Sequence, residues 1–183
     1  SDEPTEEPAI VEMFDIVLSH LKRALLATNA TAYSALLDDC YFTLAFSYYY
    51  TARFVKAIDS FVNATEGKNA ETSVWMTLVC LERLQQKNAH QLQMQVELTS
   101  LYLSTWPKSQ RATQLLLHQT SSNTDDVSID KLLAVSSSDP NYQQTQRKAS
   151  RLLYNMWAEA SQEEQELIGN RYVSIASLLM FSD

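Results

Sequence analysis

The chain is expected to be all-α, with about nine helices laid side by side as antiparallel helix-turn-helix pairs in an α-solenoid, and three observations predict it. First, its 183 residues contain two glycines and four prolines, with no proline between Pro8 and Pro107. That is too few turn formers for a strand-rich fold. Second, apolar residues recur every three or four positions along most of the chain, the interval that returns a side chain to one face of a helix. Third, Tyr41 and Leu44 recur as Trp75 and Leu78, each 34 residues on.

Taken in order, residues 1–8 (Ser-Asp-Glu-Pro-Thr-Glu-Glu-Pro) read as a disordered acidic linker. Residues 9–183 read as a single domain. Ile10, Phe14, Val17, Leu21 and Ala24 predict a first helix of about 20 residues ending near Asn29. A second starts at Thr31 and carries Tyr41, Leu44, Ala45 and Tyr48 on one ridge. The third carries Ala57, Phe61 and Ala64 and stops at Glu66, with Gly67 as a left-handed cap. The fourth, Ala70 to Lys87, is apolar around most of its circumference and so needs neighbours on more than one side. Asn88 and Gln91 form a capping pair for a fifth helix through Leu92, Val96, Thr99 and Leu103.

Pro107 halts that helix, and Ser109 caps a sixth bearing Ala112, Leu115, Leu116 and Leu117. Thr120 to Asp126 is a polar loop, followed by a short helix from Ser128 to Val135. Asp139 is then the expected N-cap of the eighth, with Pro140 at its first position. Its stripe is Ala149, Leu152, Leu153, Met156, Trp157 and Ala160. Ser161 and Glu164 make a capping box for the ninth, which buries Ile168, Tyr172, Ile175, Ala176 and Leu179. Gly169 inside that helix marks close packing.

The spacing Tyr41-x2-Leu44-Ala45-x2-Tyr48, followed by Ala57-x3-Phe61, resembles the tetratricopeptide repeat, and the 34-residue echo is that repeat's period. Small Ala45 and Ala57 would let two helices approach closely enough for Phe61 to fill the space between them. The resemblance, clearest over residues 38–84, implies a superhelix of paired helices with Tyr41 and Trp75 in equivalent, sheltered places. It further implies that the other face of each pair's first helix lines a concave groove for a peptide or partner helix. Carried onto this chain, those positions are Asp39, Phe42, Phe46, Tyr49 and Tyr50, then Met76, Cys80 and Arg83. The lining is aromatic, unlike the basic and amide clamp of the chaperone-binding branch. Tyr102-x3-Trp106-Pro107-x-Ser109-x2-Ala112 is similar to a turn of bacterial envelope tetratricopeptide proteins. With Ser1 rather than Met at the start, that similarity implies an extracytoplasmic domain with a signal or anchor upstream.

The formal charge of −8 opposes nonspecific binding to nucleic acid or anionic lipid. No apolar run reaches the roughly 18 to 20 residues that span a bilayer. Cys40 and Cys80 form no Cys-x-x-Cys pair and read as buried free thiols. His20, His90 and His118 are too far apart in sequence to read as a metal site. The segment from Asn123 to Asp130 lacks the central Gly and terminal Glu of a calcium loop. No nucleophile or phosphate-loop signature occurs, so neither catalytic residue, metal nor cofactor is expected.

The reading is therefore a non-catalytic scaffold that binds a protein or peptide partner. The alternatives are a helical enzyme or small-ligand domain with a pocket drawn from Tyr48, Tyr49, His20 or Arg83, and a homo-oligomerisation module. The first helix could also fold over the groove and make Phe42, Phe46 and Met76 part of the core.

Overall fold

A computed structural model describes residues 3–27, 34–119 and 126–180, which hold nine α-helices and no strand. They are α1 (Pro8–Leu25), α2 (Ser34–Tyr50), α3 (Phe54–Val62), α4 (Ala70–Arg83), α5 (Ala89–Thr105), α6 (Gln110–Gln119), α7 (Asp126–Leu133), α8 (Tyr142–Glu159) and α9 (Gln162–Met180). A 3-10 turn, Gly67–Asn69, precedes α4. Consecutive helices pack on one another: α1 on α2, α2 on α3, α3 on α4, then α6 on α7, α7 on α8 and α8 on α9. The expected end of the first helix at Asn29, the start of the second at Thr31 and the loop from Thr120 to Asp125 lie outside the described residues.

Several boundaries differ from those predicted. α3 ends at Val62, and Gly67 (φ 70°) takes its left-handed conformation at the start of the 3-10 turn rather than as the cap of α3. Asn88 and Gln91 do form a reciprocal cap, with the Gln91 amide donating to Asn88 Oδ1 at 2.8 Å and the Asn88 amide to Gln91 Oε1 at 3.0 Å. Asp139 does not cap α8. Its Oδ1 accepts the Asn141 amide at 2.7 Å and its Oδ2 the Thr113 hydroxyl at 2.8 Å, so it closes a turn and α8 begins three residues later. The box at α9 is half formed: Glu164 Oε2 accepts both the amide and the hydroxyl of Ser161, which holds the Glu164 carboxyl below the usual carboxylate range.

The chain divides into two compact units, residues 1–102 and 103–183. In the first, Leu44, Ala45, Tyr48, Ala57, Ile58, Phe61, Cys80 and Leu81 form one buried core with Leu18 of α1. The small residues carry the geometry. Ala45, Ala57, Ala64 and Phe61 are all fully buried, so the α2 and α3 backbones approach across two methyl groups and the Phe61 ring fills the adjoining space. α4 packs on α3 and buries Val74, Leu78 and Leu81.

α1 turns inward a face that keeps Phe14 and Leu21 of the expected stripe but takes Leu18 and Leu25 in place of Ile10, Val17 and Ala24. Leu18 is buried, Leu21 and Leu25 pack against the core and Phe14 stacks on Tyr50 at 5.8 Å, whereas Ile10 and Val17 are exposed. Two apolar stripes overlap on this helix, and the one carrying three leucines is buried. Arg53 clamps α1 through its ion pair with Asp15, which lowers the Asp15 pKa.

α5 enters the first unit differently from α3. Met94 and Leu98 pack against the core, and Tyr102, fully buried, sets its ring 5.9 Å from Trp75 and donates its hydroxyl to Glu71 Oε1 at 2.7 Å. Tyr41 and Trp75 are both half-buried, yet Tyr41 packs against the main core and Trp75 against Tyr102. The reason is legible 34 residues on: Val79, Gln91 and Gln95 replace Ala45, Ala57 and Phe61. Without the small residues and the filling ring, α4 and α5 meet through long side chains instead of closely approaching backbones.

The second unit is built on aliphatic residues, with Ile129, Leu132, Ala149, Leu152, Leu153 and Ile175 at its centre. Met156, Ile168, Tyr172 and Leu179 pack around them, as the stripes predict. Trp157, placed in that stripe by its spacing, is 38 % exposed and lies over Gly169, where a Cβ would stand 3.4 Å from its Nε1. Arg171 ties α9 to α7 by donating to Asp126 at 2.9 Å and Asp130 at 2.6 Å. Lys148 reaches the Leu117 carbonyl, satisfying one of the open acceptors at the end of α6.

Candidate partner-binding face

The residues proposed for the groove cluster on the first unit. Phe42 and Phe46 lie one helical turn apart on α2 with ring centroids at 4.9 Å, and both meet Phe61 in T-shaped contacts, at 6.2 and 5.1 Å. Tyr49 and Tyr50 continue the lattice, 6.5 and 6.0 Å from Phe46. Such edge and offset contacts suit the ring quadrupoles and fix each ring by its neighbours. Phe42, Phe46, Tyr50 and Met76 are half-buried and pack against the core, and Tyr49 is buried. They thus have one side in the core, which draws Leu21 and Leu25 of α1 and Met94 and Leu98 of α5 into the same cluster.

Arg83, at the last residue of α4, joins this lattice from above. Its guanidinium lies 5.5 Å from the Tyr49 ring centroid and donates to Glu3 Oε2 at 2.8 Å. Burial pushes the Tyr49 hydroxyl above the ordinary phenol value, with Arg83 pulling the other way. Asp39 is engaged elsewhere. Its carboxylate accepts from Lys68 Nζ at 2.9 Å and Asn69 Nδ2 at 2.7 Å, which holds it below the usual carboxylate range and anchors the Gly67 turn to α2. Cys80 is fully buried, its thiol pushed up to about 12 by burial, so it lies in the core beneath this face. Cys40 is half-buried, and both are free thiols.

The end of α2 adds residues that spacing alone did not single out. Ala52 takes φ 55°, and its amide donates to the Tyr49 carbonyl while the Arg53 amide donates to that of Tyr48, each at 2.9 Å. This left-handed closure satisfies two of the last carbonyls of the helix. The Tyr50 carbonyl is left over, and the Thr5 amide donates to it at 2.8 Å. Pro4 and Thr5 are half-buried and Glu3, Glu6 and Glu7 exposed, and residues 3–5 run as a strap from Arg83 to Tyr50. The segment expected as a solvated linker therefore touches the candidate face at two named points. Its only sequence signal is an acid beside a proline, since Glu3 and Arg83 are 80 residues apart.

Among the described residues, no group of three or more His, Cys, Asp or Glu side chains could hold a metal ion, and no helix is long and apolar enough to cross a membrane. No family model matches the chain, and neither a curated protein nor a solved structure matches it.

Proposed function

We propose that the chain is a tetratricopeptide-like scaffold that binds a protein or peptide partner through the face formed by Phe42, Phe46, Tyr49, Tyr50, Met76 and Arg83. The observation that carries this reading is the joint burial of Ala45, Ala57, Phe61 and Ala64, the positions at which the repeat interlocks its two helices. That same interlock holds the rings in place, because Phe42 and Phe46 pack on Phe61 and leave only part of their surface open as an ordered aromatic patch. Ordered rings lose little conformational freedom on binding, and aromatic and Arg residues are enriched at the centres of interfaces. Stacking of the pairs into a superhelix belongs to the same proposal.

The reading is tested by affinity capture with the full chain as bait. Wild type, Tyr50→Ala with Met76→Ala, and a Val173→Ala control are compared, with circular dichroism reporting that each is folded. A protein recovered by wild type and control but lost with the double variant is the expected outcome. Equal recovery by all three baits contradicts the reading.

A further inference from the structure

We infer that the seat of residues 3–5 is a docking site for an acidic segment of a protein partner, and that residues 3–5 occupy it in cis as a built-in competitor. The inference rests on the scaffold reading above and names the chemistry of its ligand. Three features define the seat. The Arg83 guanidinium, held over the Tyr49 ring, takes a carboxylate; the uncapped Tyr50 carbonyl takes a backbone amide; and Pro4 is half-buried between them. The fitting ligand is thus an acid, a proline and a residue with a free amide, in that order.

The strap is held in a way that permits exchange. Its ion pair is solvent-exposed, with the Glu3 side chain 69 % accessible, and exposed ion pairs contribute little. One backbone hydrogen bond and one half-buried ring add to the attachment. Tethering supplies the rest, because a short flexible connection gives the strap a high effective concentration at its seat. A partner segment must outcompete that local supply, so releasing the strap raises the apparent affinity by the reciprocal of the open fraction.

The probe is a fluorescent peptide with the sequence of residues 1–8, followed by anisotropy on the full-length chain. Three forms are compared: wild type, Glu3→Ala with Thr5→Pro, which removes the carboxylate and the donating amide, and Arg83→Glu. The released variant is expected to bind the peptide about tenfold or more tightly than wild type does. Arg83→Glu is expected to lose the peptide and to regain binding with a peptide carrying Glu3→Lys, a rescue only a folded chain can show. Equal affinity for wild type and the released variant, or no rescue by the charge swap, overturns the inference. If the peptide fails while Tyr50- and Met76-dependent capture persists, the strap inference falls and the scaffold reading stands. If the peptide binds as expected while capture does not depend on Tyr50 and Met76, the docking site stands and the scaffold reading falls.

Discussion

The two compact units solve the same packing problem with opposite uses of their aromatic residues. In residues 1–102 the rings lie inward or half inward, with Phe61 at the centre and Phe42, Phe46 and Tyr49 around it, and alanines set the helix spacing. In residues 103–183 the fully buried centre is aliphatic and holds no ring: Tyr172 only packs against its edge, and Tyr154, 5.9 Å from Tyr172 and 6.0 Å from Trp157, is 51 % exposed. The difference shows why the repeat pattern is recognisable only in the first. A small-plus-aromatic interlock demands particular residue types at particular positions. An aliphatic core accepts many combinations of Leu, Ile and Val, so it leaves periodicity but no signature.

The largest effect that sharpens this contrast is truncation at the two centres. Phe61→Ala is expected to cost about 3 to 5 kcal/mol, because the ring is fully buried and several neighbours lean on it. Leu153→Ala, equally buried in the second unit, is expected to cost about 2 to 5 kcal/mol. Urea unfolding of the two variants measures both. A loss near zero for Phe61→Ala would remove the interlock from the account.

A matched pair of backbone swaps comes next, and each unit calls for the opposite change. Ala52 sits in the left-handed region, where a Cβ is penalised, so Ala52→Gly is expected to stabilise by about 0.5 to 1 kcal/mol. Gly169 is within α9, and an added Cβ would meet only the partly exposed Trp157 ring, so Gly169→Ala is expected to gain up to about 1 kcal/mol. Thermal midpoints of both variants check the signs, and a fall in either breaks the comparison at that site.

The smallest effect is chemical. Cys80 is buried and its thiol is pushed up to about 12, so its reactive thiolate is scarce at pH 8. A thiol reagent is expected to modify half-buried Cys40 in the folded chain and Cys80 only on unfolding, as peptide mapping would show. Early modification of Cys80 would place it outside the first core.

Helix identity and the main buried stripes were legible from spacing: Leu44, Ala45, Tyr48, Ala57 and Phe61 in the first unit, and Leu152, Leu153, Ile168 and Ile175 in the second. What escaped depended on competition between local options. α1 carries two overlapping apolar stripes, and only the neighbouring α2 decides that Leu18 goes in and Val17 stays out. Asp139 has the sequence context of a cap, but Thr113, distant in sequence, takes one of its oxygens. Nothing in the composition marks the end of the first unit after Tyr102, because that point lies inside the continuous helix α5. The candidate face was legible as an aromatic set on α2, whereas its strap was not, since no local pattern links Glu3 to Arg83 or Thr5 to Tyr50.

The close approach of α2 and α3 across their alanines is the feature on which the rest depends, and Ala57→Leu tests it most directly by denaturant unfolding. With Ala57 fully buried, the added atoms have no space, and the variant is expected to lose about 1 to 3 kcal/mol. An unchanged or higher stability would mean that the two helices stand far enough apart to accept a leucine, and the interlock that orders the aromatic face would not exist.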